Sequence, residues 1–150
     1  MTNRPPAFTP LTELTLDIPT DWWMSNNDRI HRMDEQRRTR WLRQLAATQA
    51  RAQKIPTGLP TPVRVMAYIS YPTRSTPDPG NAYRTTKALV DGLTDHGCWE
   101  DDNHHHVKGP DHRYGGVTPH RRTVRLVIYP IHLDEETERP HLRDPAVAVA

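Results

Sequence analysis

The chain has 150 residues, enough for one domain with a modest core, since 35% of it is hydrophobic and 25% charged. A net charge of +2 does not by itself signal nucleic acid, and a mean hydropathy of −0.82 points to a small core, mobile ends or surface covered in an oligomer. The single cysteine, Cys98, excludes an internal disulfide and a thiolate zinc site; no apolar run approaches the roughly 18 residues of a membrane span, and MTNRPPAFTP lacks an apolar signal core, so a soluble cytoplasmic protein is expected.

Residues 1–10 are polar and proline-bearing and read as a flexible arm. In 11–19, Leu14, Leu16 and Ile18 alternate with polar residues, which predicts a strand ended by Pro19. Trp22, Trp23 and Met24 follow in a loop, expected to pack over a core edge. Residues 28–54 contain neither glycine nor proline and predict a long helix. At about 100° per residue, Ile30, Trp41, Leu45 and Ala52 share one side, and Arg29, Arg32, Arg40, Arg43, Arg51 and Lys54 lie roughly opposite. Two readings of that basic face stand: a solvated surface, or a ridge that tracks phosphates. Asp34 and Glu35 are the only acids between Arg29 and Lys54, so few local ion pairs are expected.

Residues 63–71 alternate strongly and predict a central strand; 72–81 predict a loop, and 82–96 a helix stopped by Gly97. A short strand is predicted around 104–108, then a loop through 110–121, then a strand over 123–131. Residues 132–150 are acidic, then proline-bearing, and read as a flexible tail. The expected fold is α+β: a single mixed sheet with two main helices packed against it, in β-α-β-α-β-β order.

The chemistry concentrates in PDPGNAYRTTKALVDGLTDHGCWEDDNHHHV, residues 77–107. Taken singly, Asp78 serves a turn, Lys87 and Asp91 make an i,i+4 surface pair, and Asp101 and Asp102 lie in a solvated loop. Taken together, they are the oxygens and the ammonium that phosphodiester cleavage asks for: carboxylates for a hard cation such as Mg²⁺, and a lysine for the scissile phosphate. A helix over 86–95 is about 15 Å long, and an extended 97–102 covers roughly 16 Å on the way back. Convergence with Asp78 therefore suits a short helix and is hard for one that starts near Ala82. His104 and His106 would share a face on a strand, where they could bind a transition metal or simply begin an exposed strand.

In these residues the sequence resembles the RusA family of Holliday junction resolvases of bacteria and their phages. The resemblance runs in order over about 14–130: a strand ending at Pro19, Ser25-Asn26-Asn27 before a basic helix, the strand VRVMAYISYP, Asp-x-x-Asn, Lys-x-x-x-Asp-x-Leu, Gly-x-Trp-x-Asp-Asp and a final strand. Its most specific part is KALVDGLTDHGCWEDD, Lys87 to Asp102. Asp78 matches the family's first catalytic acid, Lys87 its lysine, Asn81 its asparagine, and Asp102, with Asp101 beside it, its last acid. Gly80 stands where the family has a second acid; either Asp91 or Asp101 supplies that oxygen, or the chain binds junctions with reduced cleavage. The distance from Asn81 to Lys87 is also longer than the family pattern, and Arg84 is nearer the expected lysine spacing.

The resemblance implies a nuclease domain over 11–131 that acts as a homodimer on four-way or branched DNA in recombination and repair. It implies Mg²⁺, or Mn²⁺ in its place, at Asp78 and Asp102, with Asp101 and Asp91 as further ligands, and no nucleotide cofactor. Arg29, Arg32, Arg40, Arg43, Arg74 and Asn81 are the expected DNA contacts. The implied location is the cytoplasm, that of the host if the chain is phage-encoded. A branched- or single-stranded-DNA-binding protein without catalysis is the alternative.

Overall fold

Alternation at Leu14, Leu16 and Ile18 makes the first strand, β1, Thr12–Ile18. Three more strands follow in the computed structural model, which describes residues 9–74 and 77–131: β2 (Val63–Tyr71), β3 (Val107–Val117) and β4 (Arg122–Pro130). The expected tail, 132–150, and nearly all of the expected arm, 1–10, lie outside the described residues. The helices are α1 (Arg32–Ala52) and α2 (Tyr83–His96), with one-turn 3-10 segments at Thr20–Trp22 and Pro79–Ala82. The fold is α+β, with one mixed four-stranded sheet in the order β1-β4-β2-β3. β4 runs antiparallel to both neighbours, and β2 and β3 run parallel. Among the described residues, no helix is long and apolar enough to cross a membrane.

Register places the core. Leu14 pairs with Leu126, Leu126 with Ala67, and Ala67 with His112, a single row across the sheet. The next row on the same face runs Leu16, Val124, Ile69 and Tyr114. Leu14, Leu16, Val124, Leu126, Ala67 and Ile69 are buried in one cluster with Leu42, Ala46 and Ala50 of α1 and Ala88, Leu89 and Leu93 of α2. Each fully buried leucine there contributes about 1.5–3 kcal/mol. Met66 and Val127, paired across β2 and β4, lie outside that cluster on the opposite face. The two helices touch along their length; α1 also meets β1, and α2 meets β3. They pack close because Gly92 faces α1 where the two cross: a Cβ there would run into the Arg43 carbonyl oxygen and the Ala46 Cβ.

Three expectations are corrected. The long helix begins at Arg32 rather than residue 28, because 25–31 is tied elsewhere: Asn26 N–H donates to Asn81 O at 2.8 Å, and Ser25 N–H to Asp28 Oδ2 at 2.8 Å. His31 then caps the helix, with Nδ1 accepting from Met33 N–H at 3.3 Å. The predicted loop over 110–121 is largely strand, since β3 runs to Val117. As an edge strand it pairs only with β2, and its register shifts twice, between Arg64 and Met66 and between Ile69 and Ser70. Those shifts, with Gly109 at φ +103, erase the two-residue period that would have announced it. The predicted strand start at 104–106 is a turn instead. The His104 and His105 rings lie 3.9 Å apart, tilted by 39°, and His106 Nδ1 shares a hydrogen bond with Thr61 Oγ1 at 2.9 Å, so His104 and His106 do not share a strand face.

Candidate functional site

Chain reversal after α2 builds the first half of the site. Gly97, at φ +95, ends the helix. Cys98 N–H returns to Leu93 O at 3.1 Å, and Leu59 N–H donates to Cys98 O at 2.7 Å. Trp99 is buried, and its indole N–H donates to Thr94 Oγ1 at 2.7 Å. This pinned corner sends the next residues back along α2, and Asp102 arrives beside Lys87. The Lys87 ammonium donates to Asp91 Oδ1 at 2.8 Å and to Asp102 Oδ2 at 3.2 Å. Asp101 serves the turn itself: its Oδ1 accepts from Asp102 N–H at 2.7 Å and its Oδ2 from Asn103 at 3.0 Å.

The electrostatics of this trio are linked. Burial works against the Lys87 charge, but hydrogen bonds to Asp91 and Asp102 outweigh it and hold the ammonium above the ordinary lysine range. Burial, then the hydrogen bond with Asp102, pushes the Asp91 carboxyl up against the pull of Lys87. Asp102 goes the other way, held down by its hydrogen bond with Asp91 and by Lys87, against partial burial. Asp91 and Asp102 thus interact with each other as well as with Lys87.

Asp78 sits elsewhere. It caps the Pro79–Ala82 turn, its Oδ1 accepting from Gly80 N–H at 3.0 Å, and its side chain is exposed. Its field reaches Tyr71 and His112, and among the described residues it has no hydrogen bond with the Lys87 trio. α2 starts at Tyr83, so the helix is long, and the returning segment meets it at Lys87. Among the described residues, no three histidine, cysteine or acidic side chains gather as a metal site. Asp91 and Asp102 alone still suit Mg²⁺, which binds through one or two carboxylates and keeps several waters.

The second half is a groove of about 540 Å³ beside Asp78. Its walls include Trp23, Arg29, Arg38, Tyr71, Asn81 and Arg122. Two sequence motifs meet at its rim. Asn26 donates through its backbone to Asn81 O and through Nδ2 to Gly80 O at 3.3 Å. Arg84 holds the same loop, with Nη1 3.1 Å from both Ser25 O and Asp28 O and Nη2 3.0 Å from Glu35. Arg84 is therefore an architectural cation, and Lys87 is the one that meets the acids.

The expected DNA contacts divide. Arg29, Arg32, Arg40 and Arg74 are exposed, and none has an ion pair among the described residues. Arg43 instead forks onto Asp95 of α2, at 3.0 and 2.8 Å. Arg37 and Arg38 both reach Asp34, at 2.7 and 3.0 Å, so the helix carries more ion pairs than expected.

Reasoning from sequence missed Thr86, His112, Arg38 and Arg122. Thr86 is fully buried, and its hydroxyl meets His112 Nε2 at 2.8 Å. Burial holds His112 below its ordinary range, although Asp111 and Asp78 pull it upward. His112 lay in a predicted loop, and only the strand register turns it towards α2. No protein-family model and no curated protein matches the chain.

Proposed function

We propose that the chain is a Mg²⁺-dependent endonuclease of the RusA type that cuts Holliday junctions and related branched DNA, working as a homodimer in the cytoplasm. One observation carries this reading: Asp102, fifteen residues beyond Lys87 in sequence, is drawn to its ammonium together with Asp91. An ion pair that only solubilised a helix would need Asp91 alone.

Asp91 and Asp102 would hold the metal, which when bound supplies charge neutralisation at the phosphate and a water of lowered pKa. The chain's own groups do the rest. Lys87 has three protons to donate; two point to the carboxylates, and the third is left for a phosphate oxygen. Its raised pKa keeps it charged at neutral pH. The carboxylates hold the ammonium in one place, so the cation needs little reorganisation as charge develops on the phosphate. Exposed arginines 29, 32, 40 and 74 supply phosphate contacts around it.

Asp102→Asn keeps the shape and removes the charge. Cleavage of a synthetic four-way junction in Mg²⁺ is expected to fall by about 10²–10³-fold while junction binding persists. Undiminished cleavage would remove this site from consideration. Among the described residues no third acid or histidine joins Asp91 and Asp102 as a metal site, and this, with Gly80 where the family has an acid, favours a second reading: a non-catalytic branched- or single-stranded-DNA-binding protein. That reading expects binding that persists in EDTA and no nicks with any divalent ion.

A further inference from the structure

We propose that the groove beside Asp78 seats one unpaired nucleotide of a DNA strand, gripped through its phosphate by Arg29 and Arg122. This rests on the DNA-binding reading above and goes beyond it, because it names what the protein selects: an unpaired strand at the branch point.

Size argues first. A space of about 540 Å³ falls within the range of small-ligand pockets. It is large enough for one nucleotide and too small to enclose a double helix. Charge argues next. Arg29 is exposed and Arg122 partly so, and neither has a carboxylate partner among the described residues. Arg122 is steadied by its hydrogen bond to Thr20 Oγ1 at 3.3 Å, and its guanidinium lies 5.7 Å from the centre of the Trp23 ring. That contact orients the cation and leaves hydrogen-bond donors free.

Arg38 forms the floor. Its Nη1 donates to Trp23 O at 3.1 Å, and its Nε lies 3.0 Å from Asp34 Oδ2, off the hydrogen-bond axis. Asp28 is the one acid of the lining, and its Oδ2 accepts from Ser25 N–H at 2.8 Å. Asn81 adds an amide able to read a base edge. Position argues last. Tyr71 and Arg122 line the groove, and so does Pro77, the residue before Asp78.

The test measures anisotropy of a fluorescein-labelled dT12 strand in EDTA, so that no cleavage intervenes. The unmodified protein is expected to bind the single strand more tightly than a blunt duplex of the same length. Charge density alone favours the duplex, so this preference is the mark of the pocket. Arg29→Gln with Arg122→Gln is expected to weaken single-strand binding by about tenfold and to lower the salt slope by about 0.7, the value for the one phosphate the two arginines share.

Arg29→Gln alone, at an exposed position, covers the case in which the double variant melts early, and Arg122→Lys is expected to restore part of the affinity. Equal or tighter duplex binding, or single-strand binding unchanged in the variants, would overturn the proposal. So would dTMP competing as well as the strand, which would mark a site for free nucleotides. These outcomes are read without cleavage. They therefore leave the nuclease reading to the Asp102→Asn assay, and loss of cleavage there leaves the groove to this one.

Discussion

Lys87 has two of its three protons committed, and both partners are acids that sequence singled out for different reasons. Asp91 is the i,i+4 partner any helix would offer, and Asp102 arrives from beyond the turn. Gly80 is the residue that departs from the RusA pattern, and its position leaves room for the missing acid. A Cβ there meets Asp78 Oδ1 at 3.5 Å, an ordinary contact, with no strained backbone to oppose it. Gly80→Asp is therefore expected to fold and to leave junction cleavage unchanged, measured beside the unmodified protein at matched Mg²⁺, because Asp91 and Asp102 would hold the metal; a rise in the rate would move the cation to Asp78. Cys98 contrasts with these groups. It is fully buried, and burial pushes its thiol up to about 12. The thiolate is the reactive form, and it is scarce in the folded state below that pH. A thiol reagent at pH 8 is expected to label Cys98 only after denaturant is added, and stoichiometric labelling of the native protein would contradict its burial.

At the scale of elements, α2 is the frame of the site. It carries Lys87 and Asp91, its C-terminal corner returns Asp102, and its first turn lies beside Asp78. It presses on α1 at Gly92, where there is no room for a side chain. Gly92, a residue of low helix propensity, is here a packing requirement. Gly92→Ala would ordinarily gain helix propensity of up to about 1 kcal/mol. Here overpacking against the Arg43 carbonyl and Ala46 is expected to win, with a net loss of about 1–3 kcal/mol, read from a denaturant melt. Because Arg43 also bridges to Asp95, parting the helices disturbs that ion pair too. β3 matters for a different reason. Its parallel pairing with β2 turns His112 onto Thr86, one residue before Lys87, so the edge strand supports the helix from below.

The described residues hold one acid–lysine trio, and one such set cuts one strand. Resolving a near two-fold junction takes two symmetric nicks, hence two copies. Under the proposed function, sedimentation is expected to report a mass twice the 17.3 kDa of the chain. A monomer at micromolar concentration that still cuts both strands at once would break the argument. Trp22 is less available for such an interface than its sequence suggests, since it stacks on Trp41 at 4.5 Å under the Arg37 guanidinium.

The sequence alone determined the α+β class and the strands rich in alternating Leu, Ile and Val, because burial of one sheet face imposes a two-residue period that local reading detects. It also marked Gly97 as the end of α2 and picked Lys87, Asp91 and Asp102 as residues to watch. Only the tertiary structure decided which of them meet. The length of α2 and the corner at Trp99 bring Asp102 to Lys87, while Asp78 stays with the groove. The extension of β3 to Val117, His112 on Thr86 and the Arg29–Arg122 groove were equally out of reach. Each depends on register or on loops far apart in the chain, and such contacts leave no period in the sequence to be read.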